Sequence, residues 1–356
     1  GIPGFQTLNV PGNPDAYIWG DPYFYFCAVT LVIVFLLVTW LLRSSFGRVA
    51  IGIRENETRM ALMGYDVAAR KTVLFAIGAA IAGLDMTRPK IMGILNTTPD
   101  SFSDGGRHIG VEPGVEAALR MVAEGADILD IGGESTRPGA AFVPEEEEIA
   151  RTAPVIAAIR TRSEVPISID TRKASGAMEA LDAGAQLVND VSGFTYDAAL
   201  APLAAQAGAP VCVMHSQGDP ETMQNDPRYD HVLLDVYDYL EKQVDRLEAT
   251  GILRDQIVVD PGIGFGKTQA HNISLIKGLS LFHGLGCPIL LGVSRKGMIK
   301  AISGAEQARD RAPGSMAVAL AAWAQGVQIF RVHDVAETKQ AFDLWRAVEM
   351  GVTYGA

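Results

Sequence analysis

Between residues 86 and 356 the chain alternates eight times between a short apolar run and a stretch of different character. The runs lie at 91–96, 128–133, 166–170, 187–190, 210–215, 257–262, 288–294 and 329–334. Ala-, Leu- and Glu-rich stretches with helical spacing stand between them, at 115–124, 145–159, 174–183, 231–249, 315–324 and 334–348. A nearly unbroken apolar run is what a strand covered on both faces requires, and such strands belong to parallel sheets joined by helices. Eight of them in this order suit an α/β fold, the (β/α)8 TIM barrel. An open doubly wound sheet is the main alternative. No GxGxxG follows the first run and opens a helix, which weighs against a dinucleotide-binding fold.

The polar residues of this part are not scattered. Asn96, Asp170, Asn189, His215, Asp260, Ser294, Arg331 and His333 each stand at or just past the end of a run. One such residue can be a helix cap, as Asp190 or Ser192 can. Eight at equivalent places are hard to read that way, and in a barrel those ends converge on one mouth. Arg331 and His333 are two apart on a strand and share a face. With Arg137 and Lys296 they make a cationic set suited to phosphate or diphosphate. Asp170, Asn189 and Asp260 offer acceptors and one amide, and a carboxylate can accept two parallel hydrogen bonds from a guanidine-like edge such as a 2-amino-4-oxopyrimidine. Lys296, near these acids, could bond a ring carbonyl and damp their repulsion. The competing reading is a ring of structural ion pairs.

Two Gly- and Pro-rich loops, 97–107 and 132–148, are placed to cover the mouth. The acidic run 145–148 reads as a helix's first turn. GFGK at 264–267 lacks the GxxxxGK[ST] spacing of a phosphate loop and reads as a mouth loop after the sixth strand.

The first 85 residues are a different piece. They carry six basic and six acidic side chains, so the whole net charge of −11 belongs to 86–356 and argues against a nucleic-acid partner. Cys27, Cys212 and Cys287 are far apart and fit neither a zinc site nor a disulfide framework, which suggests a reducing compartment. Residues 23–42 form an uncharged apolar run of 20, long enough to span a bilayer, with Tyr23, Tyr25 and Trp40 near its ends. Arg43, Arg48, Arg54 and Arg59 follow and put that side in the cytoplasm. FGRVAIGIRENETRMALMGYDVAARKTVLFAIGAAIAGL at 46–84 resembles the permease subunit of branched-chain amino acid or urea ABC transporters. The further membrane helices of such a permease are absent, so this fragment, 1–85, cannot make a transporter alone.

Eight motifs of the second piece, 86–356, resemble the dihydropteroate synthase family in order and spacing. They are MGILNTTPDSFSDGG (92–106), DIGGESTRPGA (130–140), ISIDTRK (167–173), VNDVSG (188–193), VCVMH (211–215), VVDPGIGFGK (258–267), GVSRKGMI (292–299) and FRVHDV (330–335). The resemblance implies a pterin-binding TIM barrel that joins 6-hydroxymethyl-7,8-dihydropterin diphosphate to 4-aminobenzoate. It implies that Asn96 helps hold Mg2+ on the diphosphate, and that Asp170, Asn189, Asp260 and Lys296, with Met214 and Phe265, bind the pterin. Arg137, Arg331 and His333 would hold diphosphate, and Thr136 and Pro138 would shape the aminobenzoate site. A homodimer with its catalytic barrel in the cytoplasm is implied too, tethered to the inner membrane where 23–42 is inserted. One departure is Gly297, where the family often has Ser, so one substrate hydrogen bond is missing or made by water. Two other functions compete: a pterin-dependent methyltransferase on the same barrel, and a transporter subunit with an inactive barrel attached.

Overall fold

The computed structural model describes residues 9–10, 13–17, 88–98, 111–135, 142–218 and 223–350. The chain divides into two compact units, Gly1–Arg70 and Lys71–Ala356. In the first, two short strands, Asn9–Val10 and Asn13–Tyr17, pair antiparallel. The apolar run 23–42, read above as a membrane span, lies outside the described residues, as does the boundary at 85 and 86. Among the described residues no helix is long and apolar enough to cross a membrane.

The second unit holds eight parallel strands. They are β1 (Lys90–Asn96), β2 (Ile128–Gly132), β3 (Ile167–Asp170), β4 (Leu187–Asp190), β5 (Val211–Met214), β6 (Ile257–Asp260), β7 (Leu290–Leu291) and β8 (Ile329–Val332). The ladder runs β6-β5-β4-β3-β2-β1-β8-β7. A single parallel bridge, Val259 to Ile289, joins β6 to β7 and closes the ring. The seam is reinforced by Val259 N–H donating to the Pro288 carbonyl at 2.8 Å. The expected barrel is therefore present, and the open sheet is not.

Helices cover the ring. They are α1 (Val111–Ala123), α2 (Glu145–Arg160), α3 (Ala174–Asp182), α4 (Leu200–Ala207), α5 (Val232–Ala249), α6 (Gln269–Lys277), α7 (Gly297–Ser303), α8 (Ala312–Trp323) and α9 (Val335–Met350). Local chemistry sets their ends. The Thr268 hydroxyl accepts from the His271 N–H at 3.2 Å and opens α6. Gly208 and Gly304, both left-handed, close α4 and α7. Four glutamates occupy the first turn of α2, where carboxylates offset the helix dipole.

The apolar residues divide between two cores. The larger lies between strands and helices and includes Leu129, Ile131, Ile169, Val213, Val259 and Phe330. The smaller comprises Met92, Ile128, Cys212, Val258, Leu290 and Ile329, with Leu187 against it. Its members come from the N-terminal parts of seven strands and fill the barrel's floor. That floor leaves the C-terminal ends free to carry polar groups.

Candidate active site

β3, β4, β6 and β8 deliver the polar side chains. Asp170 ends β3, Asn189 is the third residue of β4, and Asp260 ends β6. All three are almost fully buried. Arg331, third residue of β8, reaches across to two acids: its Nε lies 2.5 Å from Asp130 Oδ2 and its Nη2 2.7 Å from Asp170 Oδ2. Asn189 Nδ2 also faces the Asp130 carboxylate, at 3.3 and 3.4 Å. Asp130 is thus the hub that orients an arginine and an amide from two other strands, and it has no exposed surface.

Asp260 and Lys296 form the opposite side. Asp260 Oδ1 accepts the Gly262 N–H at 2.7 Å. Lys296 Nζ sits 4.2 Å from the centroid of the Phe265 ring. Lys296 lies well past its strand, because β7 leaves the ladder after Leu291, earlier than the apolar run to 294 suggests. The chain then bends through Arg295, a non-glycine residue at φ 57°. That conformation is held by three hydrogen bonds to two partners: Arg295 N–H donates to Ser315 Oγ at 2.9 Å, and its guanidinium pairs through Nε and Nη2 with Asp334. The bend carries Lys296 back over the mouth.

His333 stands just past β8, and its backbone N–H and Nδ1 meet Ser294 Oγ at 3.1 and 3.0 Å. Asn96 ends β1 and is partly exposed, whereas Met214 ends β5 and is buried. Thr136, Arg137 and Pro138 lie outside the described residues, as does most of the first covering loop. The cationic set read from sequence therefore has a different geometry in its visible part. Arg331 pairs with two carboxylates through Nε and Nη2.

Burial shapes the protonation of this mouth. It pushes the Asp170 carboxyl up to about 7, with Arg331 opposing and Asp130 reinforcing. It raises Asp260 too, against the Gly262 N–H and Lys296. It lowers Lys296 to about 8, with Asp260 opposing. Arg331 is moved the other way: burial works against its charge, but Asp130 and Asp170 outweigh it and hold the proton more firmly.

Other polar residues near the strand ends bond locally. Asp190 accepts from the Ser192 and Phe194 N–H groups at 2.6 and 2.7 Å, so it shapes the turn after β4. His215 is turned away from chemistry: its Nδ1 is 2.8 Å from Lys267 Nζ. Burial and that lysine bring His215 down to about 3. Lys267, from GFGK, also donates to the Phe265 carbonyl at 2.9 Å and so fixes the loop that presents the Phe265 ring. Sequence reasoning missed Asp130, Glu134, Lys173 and Lys267. A charge inside the apolar run ILDIG was the one visible signal for Asp130. Among the described residues no cluster of three or more His, Cys, Asp or Glu is placed to hold a metal.

A closed parallel barrel with buried acids, an amide and a lysine gathered at its C-terminal mouth defines an enzyme that grips a flat, hydrogen-bonding ring. The pterin binding enzyme family profile matches residues 92–333, which places the chain in that class. Dihydropteroate synthase of Escherichia coli K12 is 47% identical over 268 residues, covering 75% of this chain and 93% of the relative. The solved Xanthomonas albilineans dihydropteroate synthase with 4-aminobenzoic acid aligns at TM-score 0.71 and 43% identity, covering 75% of this chain and 95% of that one. The same enzyme in complex with 7,8-dihydropteroate aligns at TM-score 0.68 and 40% identity, with the same coverage. The chain belongs to the dihydropteroate synthase family, and its activity is that of a transferase. Residues 5–85 separately match the permease component of branched-chain amino acid transport systems.

Proposed function

We propose that the barrel condenses 6-hydroxymethyl-7,8-dihydropterin diphosphate with 4-aminobenzoate to give 7,8-dihydropteroate and diphosphate. The observation that carries this reading is the mouth set of buried Asp170, Asn189 and Asp260 with partly buried Lys296. Its carboxylates suit the amino-pyrimidine edge of a pterin, its amide an adjacent ring nitrogen, and its ammonium the ring carbonyl. Met214 and Phe265 supply the apolar walls. Arg331 and His333, with Arg137, take the diphosphate, and Asp130 keeps the Arg331 fork in place. Thr136 and Pro138 shape the aminobenzoate site.

The reaction breaks the bond between the pterin methylene and the diphosphate oxygen. The electron-rich ring shares the positive charge left on that carbon, and the unprotonated aromatic amine of aminobenzoate attacks it to form the new C–N bond. The amine nitrogen then releases one proton to solvent, while diphosphate keeps the electron pair of the broken C–O bond. No nucleophilic side chain is needed. Positioning of the two substrates and neutralisation of the leaving diphosphate carry the rate. A magnesium ion suits this mouth, because Mg2+ keeps several waters and takes other ligands from substrate phosphate. Asn96, partly exposed at the end of β1, would supply one protein oxygen. The ion would neutralise charge on the departing diphosphate.

This reading places the barrel in the cytoplasm as a homodimer, with residues 1–85 adding at most a membrane tether through 23–42. The test is diphosphate release from the pterin substrate. Release that requires both 4-aminobenzoate and Mg2+, and that falls by about a hundredfold or more in Asp260→Asn, is expected. Release without aminobenzoate, or methyl transfer instead, would overturn the assignment.

A further inference from the structure

We propose that Ser294 is a positioning residue for the leaving diphosphate: its hydroxyl fixes the tautomer of His333, so that the neutral ring donates through Nε2. The inference rests on the role given to His333 above. Ser294 is 6% exposed, and its Oγ meets two nitrogens of His333, the backbone N–H at 3.1 Å and the ring Nδ1 at 3.0 Å. Both residues belong to the mouth. Ser294 is two positions before Lys296, and His333 is two positions after Arg331.

The backbone N–H can only donate, so it takes a lone pair of the hydroxyl oxygen. The hydroxyl's single proton then needs an acceptor. Among the described residues, Nδ1 is the one acceptor that Oγ meets. If Nδ1 carried a proton, Oγ would face two N–H groups and its own buried proton would have nowhere to go, which is costly. The bond made by one ring nitrogen decides where the other carries its proton. Nδ1 is therefore the acceptor, and the ring proton sits on Nε2, at the opposite edge. There it is a donor, as an anionic oxygen requires. The other tautomer would turn a lone pair toward that oxygen and repel it.

The sheet explains why a serine stands here. β7 and β8 pair only through Leu290 and Leu291, opposite Ile329 and Phe330. Beyond them the backbone ladder stops, but side chains carry the same register onward. Ser294 bonds His333 and Arg295 bonds Asp334, each pair 39 residues apart, as Leu290 and Ile329 are. The His333 N–H, which a longer ladder would give to a carbonyl, goes to a hydroxyl instead and stays satisfied. A carbonyl in that place would have no proton to give and would leave the tautomer open. The bend that brings Lys296 over the mouth thus also sets the ring of His333.

The test uses the full chain with nitrogen-15 histidine at about pH 8, where an ordinary imidazole is neutral. Long-range proton–nitrogen correlation distinguishes the tautomers, and the spectrum of His333→Gln identifies the His333 signals. Wild type is expected to show a protonated Nε2 and an unprotonated Nδ1. Ser294→Ala should move the ring toward the Nδ1–H form and lower kcat about tenfold, with the Michaelis constant for 4-aminobenzoate within about twofold of wild type. Ser294→Thr, which keeps a hydroxyl, should keep the Nε2–H form and most of the rate. A protonated Nδ1 in wild type, or a tautomer unchanged in Ser294→Ala, would overturn the proposal. So would a changed tautomer with kcat unaltered. The expected tautomers in both proteins, in a wild type without synthase turnover, would instead count against the functional reading alone.

Discussion

At the scale of single residues, the proposed pterin grip requires one acid that has lost its proton and one lysine that has kept its own. In that proposal Asp170 accepts ring N–H groups as a carboxylate, hence above about 7. Lys296 in turn donates to a carbonyl as an ammonium, hence below about 8. We expect kcat/KM for the pterin diphosphate to be bell-shaped, peaking between those values and falling roughly tenfold per pH unit on either side. A profile flat from roughly pH 6 to 9 would exclude these two groups as the pterin grip. The stability consequence has the opposite sign to that of an ordinary ion-paired aspartate. Between an unfolded value near 4 and about 7, the native state holds a proton that the unfolded chain has lost, so Asp170 makes the fold less stable as pH rises through that window. Asp170, Asn189 and Asp260 were legible in the sequence because each stands where an apolar run stops. Asp130 was not, because it lies inside a run and acts through Arg331 and Asn189, contacts between strands distant in sequence.

At the scale of elements, the strands were legible because parallel strands buried on both faces leave continuous apolar runs. Their ends drifted by a residue or two, and β7 was read several residues too long because apolar Val293 continues the run past the end of the ladder at Leu291. α4, α6 and α7 escaped notice: they are short, of seven to nine residues, and lack a clear polar face. Glu148 was read as one of four dipole-balancing acids, yet it alone of the four is buried, on Lys173. The loop joining β6 to α6 is the element least open to change. Gly262 has φ +68°, and a Cβ there would lie 1.9 Å from the His215 carbonyl oxygen. Gly262→Ala should cost on the order of 3 kcal/mol, lowering the melting temperature by about 10 °C. Gly297, by contrast, has open space around it. Gly297→Ser should leave the melting temperature within about 2 °C, and thermal unfolding of the two variants side by side checks both.

At the scale of the molecule, the synthase family accounts for about three quarters of the chain, and residues 5–85 match a permease component instead. Residues 86–356 expressed alone should keep kcat within about twofold of the full chain. A folded barrel without turnover would show that the first piece is needed. The wholeness of the barrel itself depends on its seam. β6 and β7 meet through one bridge, and the grip straddles that join, with Asp260 on one side and Lys296 beyond the other. A molecule that holds both groups fastens the ring shut, and its binding energy adds to the stability of the native state. The substrate is thus also a buckle. If both groups hold the pterin as proposed, the chain is expected to stand nearer to unfolding when pterin is scarce, with its abundance following the supply of what it consumes.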